Sequence, residues 1–257
     1  MRYVSICFCL LVTMVLSASA RAETVDEVRQ HIDSYSRQIT STPGDAAIYT
    51  RRGDAYFRIH EFDKAIDDYS KALKLDKNFD DALFGRGMAL ARNGEVEKGI
   101  DDLTTYINRH PDSSRAYTKR GVRYMWIGNL DAAYADLSRA VELDDRNAEA
   151  HDDIGVILSQ RKKYKLAIQH FRTTLAVDPT YQKAHHNIAI AYYLTSQNQR
   201  ALEAVNRSLL LNPNNKSSVL LKAVILNDLG RVKEAQELRD QADMMGQGNW
   251  SENMDIR

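Results

Sequence analysis

The sequence predicts an all-α fold, a right-handed solenoid of stacked antiparallel helix pairs, and three recurrences carry the prediction. Glycine returns every 34 residues, at Gly53, Gly87, Gly121 and Gly155, in a register that continues through Ala189 and Ala223. A second small residue follows each at a constant offset, as Ala65, Gly99, Ala133, Ala167, Ala201 and Ala235, and Pro111, Pro179 and Pro213 recur later in the same unit. Interior glycine costs about 1 kcal/mol relative to alanine in a helix, so its return at one interval implies a packing need that arises once per structural unit. Small residues on both helices let them approach closely, and proline ends the second.

The chain of 257 residues opens with Arg2, an uncharged run of 14 residues from Tyr3 to Leu16, and small residues leading to an A-x-A site at Ala20 or Ala22. A spanning helix needs roughly 20 apolar residues, so residues 1–22 read as a secretory signal peptide, with cleavage after Ala22 favoured over Ala20. Both cysteines, Cys7 and Cys9, lie inside that run, which leaves the mature chain without disulfides. Losing Arg2 and Arg21 leaves 33 basic against 35 acidic residues, a net charge of −2. Such a balance gives no global electrostatic reason to bind nucleic acid. A bacterial periplasm fits these features best, with secretion or the endoplasmic reticulum lumen as alternatives.

Residues 24–41 carry Val28, Ile32, Tyr35 and Ile39 on one helical face, with Pro43 beyond, and read as a lone capping helix. Numbering each unit so that its glycine is the eighth slot gives repeats at 46–79, 80–113, 114–147, 148–181 and 182–215. Slot 11 is then Tyr56, Leu90, Tyr124, Leu158 and Tyr192, and slot 24 is Tyr69, Leu103, Leu137, Phe171 and Val205. Residues 216–245 continue the register weakly, with Arg239 where the large apolar residue belongs, and read as a capping helix pair. A polar tail at 246–257 is expected to be disordered.

This succession of large, small, tyrosine, alanine, phenylalanine and proline slots resembles the tetratricopeptide repeat family over residues 46–215. Departures are single-slot: Lys77 and Asp145 for proline, Tyr106 for a small residue at slot 27, Ala189 and Ala223 for glycine. The resemblance implies a non-catalytic protein-interaction scaffold that presents its concave face to a protein or peptide. In that family, slots two, five, nine and twelve of the first helix line the groove. The residues so placed, with Lys119 at the adjoining slot six, are Asp54, Phe84, Met88, Arg115, Lys119, Val122, Met125, Asp152, Val156, Lys183, Ile190, Tyr193 and Val224. Slot nine alone forms an apolar stripe from Met88 to Val224, suited to spaced apolar anchors of a peptide or to packing between first helices. Charges along the groove alternate in sign, a pattern suited to tuning partner specificity or simply to a solvated face.

Slot seven is Arg52, Arg86 and Arg120 in the first three repeats, with Asp68, Asp102 and Asp136 at slot 23; repeats four and five carry Ile154 with His170 and Ile188 with Ala204. The joint change predicts that these slots face each other as ion pairs early and without one later. His151 and His185 occupy a packing slot, which argues for packed imidazoles over metal ligands. No nucleophile elbow, phosphate loop or isolated acid pair supports catalysis or a cofactor. The function expected is an exported scaffold supporting bacterial cell-envelope assembly or integrity; a chaperone-like adaptor or a subunit of an export or polysaccharide machine is the alternative.

Overall fold

The computed structural model describes residues 23–245. The signal expected at 1–22 and the tail expected at 246–257 lie outside the described residues. Thr24 starts the first helix with a reciprocal cap: its hydroxyl accepts from the Glu27 N–H at 3.3 Å, and its own N–H donates to the Glu27 carboxylate at 2.6 Å. Two orphan donors of the first turn are thereby satisfied. Helix α1 (Val25–Ser41) then buries Val28 and Ile32 against Ala55 of the next helix.

Six helix pairs follow: α2 (Ala46–Arg58) with α3 (Phe62–Leu75), α4 (Asp80–Arg92) with α5 (Val96–Arg109), α6 (Ser114–Trp126) with α7 (Leu130–Leu143), α8 (Ala148–Gln160) with α9 (Tyr164–Val177), α10 (Gln182–Leu194) with α11 (Asn198–Leu211), and α12 (Lys216–Asp228) with α13 (Val232–Met244). The first helix of each pair begins at slot one, so the interval of the glycines is also the interval of the structure. Every element among the described residues is helical. None of these helices is long and apolar enough to cross a membrane.

Close approach explains the glycine slot. A Cβ added to Gly155 would lie 2.5 Å from the Phe171 ring, and one added to Gly121 would lie 2.9 Å from the Leu137 side chain. In the first four repeats the slot-24 side chain therefore presses directly onto the slot-8 backbone, and no larger residue fits there beside its tyrosine, leucine or phenylalanine. In the fifth repeat slot 24 is the shorter Val205, fully buried, and slot 8 becomes Ala189. The break in the glycine register is a compensated change in packing.

The turn between the two helices of every pair carries one residue in the left-handed region. It falls at slot 15 throughout, as Gly94, Gly128 and Gly230 and as His60, Lys162 and Ser196 with φ of 62°, 58° and 59°. Such a residue lets the chain reverse directly after a helix C-terminus.

Curvature follows from which helices touch. Successive first helices meet, α2 with α4, α4 with α6, and onward to α10 with α12, whereas successive second helices make no contact among the described residues. The first helices thus form the tight concave side, and the second helices splay into grooves on the convex side. A core running from Ala133 to Ala235 unites the later repeats, while the earlier ones hold smaller separate clusters. Polar plugs divide the early core: Arg52, Arg86 and Arg120 each donate two hydrogen bonds of 2.7–2.8 Å to Asp68, Asp102 and Asp136. Ile154 and Ile188 replace them later and join the continuous core.

Candidate functional site

The concave face of the first three repeats holds a cavity of about 470 Å³. Its position follows from the packing below it. Tyr69 rises from α3 past Gly85, where an added Cβ would lie 2.6 Å from its ring, and donates its hydroxyl to Asp54 at 2.7 Å. Glycine at position 85 is what lets this hydroxyl reach the groove. Burial raises the Asp54 carboxyl above the usual range, against the lowering effect of the Tyr69 bond. Burial, with the adjacent Asp54, raises the Tyr69 phenol as well, so it stays protonated as the donor.

Beside that bond lies an aromatic and cationic wall. The Arg115 guanidinium sits 4.5 Å from the Phe84 ring centroid, and Tyr106 meets Phe84 edge-on at 5.1 Å. Cation–π and edge-to-face contacts of this kind fix side-chain positions without consuming the outward hydrogen-bonding capacity of the guanidinium. Lys119 donates to both oxygens of Glu149 at 2.7 and 2.6 Å, and it is therefore a paired cation at the rim.

Five of the groove residues expected from the sequence meet in this cavity: Asp54, Phe84, Met88, Arg115 and Lys119. The others lie outside it. Val122, Val156 and Ile190 are half-buried, Met125, Val156 and Tyr193 pack on the main core, and Val224 is exposed at the far end. Tyr193 also donates to Asp228 at 2.7 Å. Of the slot-nine apolar residues, Met88 alone lines this cavity, and Val224 is exposed at the far end.

Two of the expected groove residues are buried. Phe84 lines the cavity but is 9 % exposed, because Tyr106 and Arg115 cover it. Asp152 is a buried group instead of a groove charge: it accepts two bonds from Asn187 at 3.3 Å, and burial pushes it up to about 7. Neighbouring Lys183 stays exposed and pulls the Asp152 value partly back down.

Some participants escaped the sequence reading. Phe57, Phe79 and Arg51 line the same cavity. Tyr106 does too, and its signal was present as a bulky residue at a slot reserved for small ones. Arg123 is buried against Trp126, 4.6 Å from the ring centroid, and donates to Met88 Sδ at 3.3 Å, with its Nε unpartnered. Burial and nearby Arg92 lower its pKa, yet a guanidinium stays protonated at neutral pH. Asp153 has a buried, unpartnered carboxylate oxygen, and burial raises its pKa well above the usual value.

Histidines of the fourth and fifth repeats form hydrogen bonds. His151 Nδ1 meets His170 Nδ1 at 3.0 Å, His185 reaches the Pro179 carbonyl at 2.9 Å, and His186 bonds the Ser218 hydroxyl at 2.8 Å. Among the described residues, no group of three His, Cys, Asp or Glu side chains could hold a metal ion.

A curved stack of helix pairs with a ligand-sized concave groove defines a helical-repeat interaction scaffold. Tetratricopeptide repeat models match residues 46–79, 81–113 and 118–181, and the chain belongs to the tetratricopeptide repeat family. No curated protein matches it. Among solved structures, the Cut9–Hcn1 hetero-tetramer of the APC/C is similar with a TM-score of 0.76 and 19 % identity, covering 88 % of this chain and 45 % of that one. The present chain therefore spans less than half of that relative's length. Pseudomonas aeruginosa PilF is similar with a TM-score of 0.71 and 16 % identity over 86 % of this chain and 95 % of its own. YrrB, described as a tetratricopeptide repeat protein with an unusual peptide-binding site, has a TM-score of 0.56 and 21 % identity over 73 % of this chain and 97 % of its own. At these identities the likeness is one of fold.

Proposed function

We propose that this protein is an exported, non-catalytic scaffold that holds a peptide segment of a protein partner in the concave groove of its first three repeats. The observation that carries the reading is the open cavity at Asp54, Phe84, Met88 and Arg115, where apolar side chains and fixed charges of both signs converge. Apolar anchors in a groove supply affinity, and the charges select among sequences. YrrB is a precedent for peptide binding on this fold, by its description.

Export rests on the reading of residues 1–22 as a signal, and support of the bacterial cell envelope is proposed from that compartment and the scaffold class alone. Fusing residues 1–40 to a reporter enzyme that is active only outside the cytoplasm tests export. Reporter activity that vanishes when Leu10 and Leu11 become arginine is the expected result; activity in neither version would reject it.

A photoreactive residue at Met88, crosslinked in the native compartment and read by mass spectrometry, tests the groove. The expected products join one partner segment to α4, and they disappear in an Arg115→Glu, Phe84→Ser variant that still melts cooperatively. Crosslinks unchanged by that variant would refute the groove as the binding site.

A further inference from the structure

The convex side carries a second groove, and the repeat register shows why it opens at the fifth repeat. In the first repeat Arg52 lies 5.9 Å from the ring centroids of both Tyr49 and Tyr56, bonds Asp68 of α3, and donates to Ser36 of α1 at 3.0 Å. In the third, Arg120 lies between Tyr117 and Tyr124, bonds Asp136 of α7, and donates to Thr104 of α5 at 3.0 Å. The arginine thus plugs the gap between consecutive second helices. In the fourth repeat, the His151–His170 pair occupies the equivalent place.

The fifth repeat has no plug. Ile188 and Ala204 stand where arginine and aspartate stand in the first three, and a cavity of about 800 Å³ opens between α9 and α11, which make no contact with each other. Its floor is apolar, with Ile188 and Ala204 both buried and Leu175 half-buried, and Leu210 on its wall is 70 % exposed. Arg172, Arg200 and Arg207 line the opening against a single carboxylate, Glu203. Arg172 occupies the slot held by Ser36 and Thr104 in the plugged repeats, and it points to no acceptor. Among the described residues neither Arg172 nor Arg207 has a hydrogen bond or an ion pair, and Arg200 donates to the neutral Gln197.

We propose that this convex groove is a second binding site, and that it takes an acidic protein segment carrying an apolar anchor such as leucine. The floor gives a desolvated place for the anchor, and unpaired guanidiniums at the rim pair bidentately with flanking carboxylates. This site lies on the face opposite the concave groove and does not depend on it.

The test titrates the full chain against a fluorescein-labelled peptide of about 12 residues built from leucine, aspartate and glutamate, read by anisotropy at low salt. Saturable binding is expected, with none for a version carrying lysine in place of the acids. An Ile188→Arg, Ala204→Asp variant rebuilds the ion pair of the early repeats and should bind about tenfold more weakly, equivalent to about 1.4 kcal/mol. Arg172→Ala with Arg207→Ala, which leaves the floor intact, should weaken binding about as much and flatten its salt dependence. Peptide-induced hydrogen-exchange protection should fall on α9 and α11.

Absence of saturable binding, parent-like affinity in either variant, or protection confined to α2, α4 and α6 would overturn the proposal. So would a full-chain dimer that the refilled variant converts to monomer, which would make a second copy the occupant. Binding to phosphatidylglycerol vesicles but not to the peptide would equally reject it.

Discussion

Asp152 has 3 % of its surface exposed, and its carboxyl is faced by Asn187, by Lys183, and by the acidic Glu149 and Asp153. Burial holds its proton on up to about pH 7, whereas an unfolded aspartate releases it near pH 3.9. Below about pH 4 both states carry the proton, and the group has no effect on stability. Stability then falls as pH rises from about 4 to about 7, because the unfolded chain ionises first, and it levels off above. Asp152→Asn removes the charge and keeps a hydrogen-bonding group beside Asn187. It should stabilise the protein by about 2 kcal/mol at pH 7.5 and by almost nothing at pH 4, read by urea unfolding. A gain of equal size at both pH values would show that burial of the charge is not the cause. The same residue-level logic governs glycine. Gly155→Ala drives a methyl group into Phe171, which an added Cβ would approach to 2.5 Å, and should cost about 2 kcal/mol. Adding Phe171→Val to Gly155→Ala, which copies the Ala189 and Val205 arrangement of the next repeat, should give a double variant that costs less than the sum of the two single substitutions. Strict additivity in that cycle would refute the paired-packing account.

At the scale of the helix pair, slot 15 carries strain that its residue types do not share equally. Glycine pays nothing for a positive φ, whereas other residues other than asparagine or aspartate are disfavoured there. Lys162 sits at φ 58° in the turn between α8 and α9, with its N–H donating to the Ser159 carbonyl at 2.9 Å. Lys162→Gly should therefore raise stability by about 0.5–1 kcal/mol, and Gly128→Lys at the matching turn should lower it by a similar amount. Thermal unfolding of both variants checks this, and a destabilising Lys162→Gly or a stabilising Gly128→Lys would sink it. Much of the pair was legible beforehand because it rests on local recurrence: glycine at slot 8, alanine at slot 20 and proline at slot 32 each repeat a packing or chain-ending need. The Arg–Asp pairing was legible for a different reason, since slots seven and 23 change together within one chain. The left-handed turn was hidden because His60, Lys162 and Ser196 mask the three glycines that mark it. Phe57, Phe79 and Arg51 were invisible as groove residues, since the curvature that gathers side chains from successive repeats is a property of the stack.

For the whole molecule, the division between plugged and unplugged repeats predicts an uneven distribution of stability. Stacked repeats couple only to their neighbours, so total stability is close to a sum of unit and interface contributions. The later repeats share one continuous core, in which Ile154, Ile157, Ile188 and Ile225 are all buried to 3 % exposure or less. The earlier ones rely on separate clusters divided by the ion pairs of Arg52, Arg86 and Arg120, whose guanidiniums retain partial solvent access. A desolvated apolar interface contributes about 25 cal/mol per Å², whereas a largely buried ion pair gives back much of its Coulombic gain as the cost of desolvating its charges. The amides of α2 to α5 should therefore exchange at lower opening free energies than those of α8 to α11, and added urea should bring out a first transition confined to the N-terminal repeats. Replacing Arg86 and Asp102 together by isoleucine and alanine, the residues the fifth repeat uses, should extend the core toward the N-terminus and narrow that gap. Native-state hydrogen exchange followed by mass spectrometry measures both effects. Uniform protection across all repeats, unchanged by the double substitution, would mean that the solenoid unfolds as one unit and that the two kinds of repeat are equivalent in energy.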